Sequence, residues 1–233
     1  MLNLLSLQLV LSFLSTFLIS KVFLSICRQS SVVIKPELLQ KHASKKGTPV
    51  VGGLAFSLGF ILTNLILSDL TDPFIWLPMI ALLCFLLVGF VDDMHKRHTT
   101  NGDGLSSKAK LLSQISSAVF IVMLADHFSV LSTQITFFSF SVDLGRFYPF
   151  FAILYLLYFV NAVNITDGLD ALASGASLPV LLLLVLISQR FGTALIGSML
   201  AFLYFNRSPA KYFMGDAGSH ALGGYIGSCA ILL

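Results

Sequence analysis

Eight stretches of this chain carry no Lys, Arg, Asp or Glu: residues 2–20, 50–68, 73–91, 111–125, 147–166, 171–189, 191–206 and 217–233. Crossing a bilayer takes about 20 mostly apolar helical residues. Most of these runs reach that length, and 111–125 and 191–206 reach it by borrowing flanking residues. Only 11% of the chain is charged, against about 25% in soluble domains, so too little polar surface exists for water to be the solvent. The reading is an all-α polytopic membrane protein of about eight transmembrane helices, forming a single integral-membrane domain over residues 1–233. The first run lacks a basic n-region, since the first charge is Lys21, and so reads as a membrane helix rather than a signal peptide. Residues 132–144, STQITFFSFSVDL, partly alternate polar with apolar and predict a short β-hairpin on the outer face.

Loop charges set the orientation. The first, third and seventh loops carry Arg28, Lys35, Lys41, Lys45, Lys46, Lys96, Arg97, Lys108, Lys110, Arg207 and Lys211, whereas the even-numbered loops carry Arg146 and Arg190 alone. The odd loops are therefore expected in the cytoplasm. A net charge of +3 gives no reason to expect nucleic acid as a partner. Cys27, Cys84 and Cys229 lie in or beside apolar runs without paired spacing and read as small buried hydrophobes.

Of eleven carboxylates, five stand at helix ends on the expected cytoplasmic side: Asp92 and Asp93 in GFVDDMHKRH, Asp167 and Asp170 in NITDGLD, and Asp216 in YFMGDAGS. Acids at membrane-helix boundaries are costly to desolvate and point to function. Clustered carboxylates suit a hard cation such as magnesium, which it is common to find shared with substrate phosphates. The glycines of KKGTPVVGG and GDAGSHALGG stand where loop becomes helix, the place where free N–H groups bind phosphate; Lys45 and Lys46 add charge at the first. Asn161 and Asn164 are three residues apart, so on a continuing helix their amides share a side and can orient substrate oxygens or the aspartates. Asp167 and Asp170 have the same spacing, and acceptors so placed can read N–H groups such as those of a nucleobase.

Five motifs in this order, KHASKKGTPVVGG, GFVDDMHKR, GLSSKAKLLSQI, NAVNITDGLDALASG and RSPAKYFMGDAGSHALGG, resemble the polyprenyl-phosphate N-acetylhexosamine-1-phosphate transferases. The resemblance covers essentially the whole chain. It implies a ten-helix membrane enzyme of the bacterial inner membrane, multi-pass, with its site on the cytoplasmic face and a homodimer as precedent. KKGTP and NAVNITDGLD favour the branch that uses UDP-MurNAc-pentapeptide. That branch implies magnesium-dependent transfer of phospho-MurNAc-pentapeptide to undecaprenyl phosphate, giving lipid I and UMP in peptidoglycan synthesis. A sister transferase using UDP-GlcNAc is the alternative, and an inactive truncated member is another.

By the same resemblance, Asp216 is the magnesium ligand. Asp92 and Asp93 lie by the metal and the lipid phosphate, either of them helping to deprotonate it. Lys45 contacts phosphate, and Asn161, Asn164 and Asp167 line the cleft. Gly168, Leu169 and Asp170 approach the uracil, with Phe213 stacking nearby. The family extends about a hundred residues further, through two helices and a histidine-rich loop, so the chain is expected to be incomplete at its C-terminus. Three departures stand out: Val50 and Val51 after KKGTP, which would loosen a cleft contact; Ala171 in a common glycine position, expected to alter packing only; and His220 in an apolar position, not counted among the site residues.

Overall fold

A computed structural model describes residues 2–27, 48–99, 102–137, 140–188 and 191–233. Eight helices follow the eight apolar runs: α1 (Leu2–Ile26), α2 (Gly52–Leu67), α3 (Pro73–His98), α4 (Ser107–His127), α5 (Tyr148–Thr166), α6 (Leu172–Ser188), α7 (Thr193–Asn206) and α8 (Gly215–Ile231). Between α4 and α5, β1 (Gln134–Phe137) and β2 (Phe140–Asp143) form the expected hairpin, antiparallel with Gln134 opposite Asp143.

The spans are unequal. Among the described residues, only Asn3–Ile26, Pro73–His98, Ser107–His127 and Gly145–Thr166 are long and apolar enough to cross a bilayer alone. The helices α2, α6 and α7 are apolar but have 16, 17 and 14 residues, about 21–26 Å at 1.5 Å per residue. Neighbours hold them: 10 residues of α7 are buried. By contrast α1 turns Leu7, Leu14 and Leu18 outward, each at least half exposed, as a helix does when its outer solvent is lipid.

The hub is α8, buried continuously from Ala217 to Cys229. Its sequence, GDAGSHALGGYIGSCAI, is made of small residues that let backbones approach closely. Helix α3 comes so near that a Cβ on Gly89 would run into the Asp216 carbonyl, and a Cβ on Gly223 would meet Cα of Val160 on α5 at 2.6 Å. Phe60 of α2 packs edge-on against Tyr225 of α8, ring centroids 5.1 Å apart.

Long-range bonds gather the odd-numbered loops at one end of the bundle. Val50 pairs with Phe213 as an isolated parallel bridge, Phe213 N donates to Pro49 O, and Ala210 N donates to Asp170 Oδ2 at 3.3 Å. The opposite end is tied by Gln8 to Ser68 at 3.1 Å and by the Tyr148 hydroxyl to the Ile231 carbonyl at 3.0 Å.

Two local details differ from expectation. Asp92 and Asp93 are helical, as their place at a helix end implies, but α3 runs on to His98, seven residues past the charge-free stretch that ends at Val91. Lys96 pairs with Asp92 one turn back, at 2.7 Å, so this charged segment bonds within the helix rather than fraying into a loop. Ala171 does more than alter packing: its φ of 65° lies in the left-handed region, which costs a residue with a Cβ about 1–2 kcal/mol.

Candidate active site

At the odd-loop end, the last turns of α3 meet the first turn of α8. Ligand oxygens of Asp92, Asp93 and Asp216 all lie within 4.8 Å of one another. The three carboxylates do different things.

Asp93 caps α8 from outside. Its Oδ1 accepts from Asp216 N at 3.1 Å and its Oδ2 from Ala217 N at 2.9 Å. These are two of the four N–H groups that a helix start leaves unpaired, and the negative charge also suits the positive end of the helix dipole. Gly215, with φ at +74°, makes this approach possible, because a Cβ there would stand 2.6 Å from Asp93 Oδ2.

Asp92 is 2% exposed. Its Oδ1 accepts from Leu105 N at 2.8 Å, which folds the α3–α4 connection over the acid. Its Oδ2 faces the ammoniums of Lys96 at 2.7 Å and Lys110 at 3.7 Å. Asp216 Oδ2 receives Lys96 Nζ at 3.0 Å and a short bond from Lys110 Nζ. Asp216 precedes the apolar run of its helix. Burial raises its carboxyl pKa, but the Lys96 and Lys110 ammoniums outweigh that and hold it well below the usual carboxylate range.

The donor set fits magnesium. All three groups are hard oxygen donors. Asp216 and the Oδ2 of Asp92 face each other across two ammoniums, whereas Asp93 is committed to the α8 amides. Asp216 and Asp92 would therefore hold the ion.

Behind the acids, α5 supplies amides. Asn164 Nδ2 donates to Ser219 Oγ at 2.9 Å. Asn161 Nδ2 donates to Gln114 Oε1 of α4 at 3.0 Å and to Leu157 O at 2.8 Å. Gln114 Nε2 in turn reaches Asn161 Oδ1 at 3.3 Å and His220 Nε2 at 3.0 Å. Both asparagines thus turn inward against α4 and α8. The turn after α5 lies at the same end: Asp167 is half-buried, Gly168 and Leu169 are exposed, and Asp170 is tied to the seventh loop at Ala210. Phe213 sits half-buried three residues before Asp216, paired with Val50, and Val51 is buried in the core. Lys45 lies outside the described residues.

Four further polar residues stand at this centre that the sequence reading had not placed in the site: Lys96, Lys110, Gln114 and His220. In the sequence the first two count as loop charges that orient the protein. The signal that could have found them is spacing: Lys96 is four after Asp92, and Lys110 and Gln114 are four apart, like Asp216 and His220.

Comparison with known proteins shows the family to which the chain belongs. A model of a family described as "Glycosyl transferase family 4" matches residues 75–233. The chain is 36% identical over 241 residues to the phospho-N-acetylmuramoyl-pentapeptide-transferase of Staphylococcus carnosus (strain TM300), covering 96% of this chain and 75% of that one. It is 37% identical over 245 residues to the protein of the same name from Oceanobacillus iheyensis, covering 96% and 74%. With the one from Maridesulfovibrio salexigens it shares 36% over 225 residues, covering 85% and 63%. A match of this extent, with such relatives along nearly the whole chain, makes this protein a member of glycosyl transferase family 4 and a membrane phosphotransferase.

Proposed function

We propose that this chain carries the transfer of phospho-MurNAc-pentapeptide from UDP-MurNAc-pentapeptide to undecaprenyl phosphate, giving lipid I and UMP, on the cytoplasmic face of the bacterial inner membrane. The observation that supports it most is the meeting of Asp92, Asp216, Lys96 and Lys110 at the end of the bundle that bears most of the basic residues. The names of the relatives point the same way.

In this reading an oxygen of the lipid phosphate bonds to the sugar-linked phosphorus of the nucleotide. The bond from that phosphorus to the bridging oxygen breaks, and UMP leaves with the bridging oxygen and the electron pair. One pyrophosphate replaces another, so the rate gain comes from positioning and from charge neutralisation. Lys96 and Lys110 swing from the carboxylates onto the phosphate oxygens. Asp92 or Asp93 takes the proton of the lipid phosphate when that group arrives protonated. Asp93 keeps the first turn of α8 in place. Magnesium, held by Asp216 and Asp92, would supply charge that neutralises phosphate. Gly168, Leu169, Asp170 and Phe213 lie toward the uracil side, Asn161, Asn164 and Asp167 back the cleft, and Lys45 contacts phosphate.

The test is lipid I formation by membranes containing this chain, supplied with UDP-MurNAc-pentapeptide, undecaprenyl phosphate and magnesium. Product that disappears with Asp216→Ala and with chelator is the expected result. Turnover of UDP-GlcNAc in place of the muramoyl nucleotide would overturn the substrate assignment.

A further inference from the structure

Helices α4 and α8 touch through two polar rungs, each one helical turn from the other. The first is Lys110 on Asp216; the second is Gln114 on His220. Residues four apart on a helix stand one above the other, so the second rung lies directly behind the first.

The second rung is fully determined. His220 Nδ1 lies 2.7 Å from the Asp216 backbone oxygen. A carbonyl only accepts, so Nδ1 carries the proton, and Nε2 presents its lone pair to the Gln114 amide. The two N–H bonds of that amide go to His220 and Asn161, and its oxygen accepts from Asn161. Gln114 is 1% exposed and His220 fully buried. Satisfied buried networks of this kind fix one arrangement, whereas apolar contacts tolerate sliding.

We infer that Gln114 and His220 form a positioning pair that sets where the Lys110 ammonium meets Asp216. The His220 ring is bound at one nitrogen to the backbone of Asp216 and at the other to the helix that carries Lys110. It therefore fixes the register of the donor against the acceptor, and Asn161 extends the brace to α5. The inference rests on the acid cluster being the reacting centre, but the test below requires neither metal nor turnover.

The full chain in detergent is treated with formaldehyde and a hydride donor. Methylation rates of Lys108, Lys110 and Lys96 are read by mass spectrometry in the wild type, His220→Leu, Gln114→Ala and His220→Gln. Lys108 is exposed and reports reagent activity. Lys96 pairs with the same Asp216 from α3 and reports general loosening of the site. The expected result is a rise of about tenfold at Lys110 alone in His220→Leu and Gln114→Ala, as for loss of one charge-assisted bond. His220→Gln, which can still meet the Gln114 amide, should recover much of the protection. Equal rises at Lys96 and Lys110 would make the pair merely structural, and no rise at Lys110 in either variant would also overturn the inference. Loss of lipid I synthesis from the wild type, with the labelling pattern intact, would sink the proposed reaction and leave the positioning pair standing.

Discussion

Asp92 and Asp93 are adjacent in sequence and serve different partners. On a helix, neighbours point about 100° apart; here one faces two lysines and the other faces the N-terminus of a second helix. Asp93→Asn keeps one acceptor oxygen but loses the charge and one of the two N–H bonds. It should lower stability by about 1–2 kcal/mol, seen as a fall in the thermal midpoint of the detergent-solubilised protein. Asp216→Asn removes the group that the lysines share and caps nothing, so it should abolish transfer with a much smaller change in midpoint. Equal losses of stability from both would refute the division of labour. Ala171 offers a gain instead. Glycine relieves the left-handed φ at a cost in unfolded-chain entropy, so Ala171→Gly should stabilise by about 0.5–1 kcal/mol net, with a midpoint about 2 °C higher; an unchanged or lower midpoint would show that Asn206, which accepts from Ala171 N at 2.9 Å, already offsets the strain.

At the scale of elements, the contact that matters most is α3 against α8. The Gly89 clash falls on the carbonyl of Asp216, while a Cβ on Gly227, at the other end of α8, would meet only Leu156 and Phe159 at 3.2 Å or more. Overpacking at Gly89 costs about 1–3 kcal/mol, whereas at Gly227 the neighbouring side chains need give only slightly. Gly89→Ala should therefore depress turnover far more than Gly227→Ala, and comparing lipid I rates at matched stability checks this. The elements themselves were largely legible in the sequence. Eight apolar runs became eight helices and the alternating stretch became the hairpin, because a chain with so few charges has few alternatives. How far α3 runs past Asp93 was not legible. Ending a span at its first charge suits a helix surrounded by lipid, whereas Asp92 and Asp93 face α8 and its partners. The inward turn of Asn161 and Asn164 was equally hidden, because Gln114 lies 47 residues from Asn161 and no local pattern pairs them.

For the whole molecule, the acids were readable as a set because clustering on one side is a property of loop order. That the adjacent pair on a helix points two ways was readable as well; which partner each acid takes was not, because it depends on bonds between residues more than a hundred positions apart, such as Asp93 with Ala217 and Lys110 with Asp216. The central position of α8 was hidden for the same reason: a run rich in glycine and alanine looks like one more span, and only packing shows that α2, α3 and α5 close around it. That position has a consequence for biosynthesis. The ribosome delivers the hub after the seven other described helices, so α2, α3 and α5 enter the bilayer with no axle to close around. Through that interval Lys96 is the one counter-ion that Asp92 finds on its own helix, one turn away, and α3 can be inserted with that acid already neutralised. A nascent chain arrested at residue 206 should accordingly be membrane-integrated yet open to protease at its odd loops, and should become resistant once α8 has emerged.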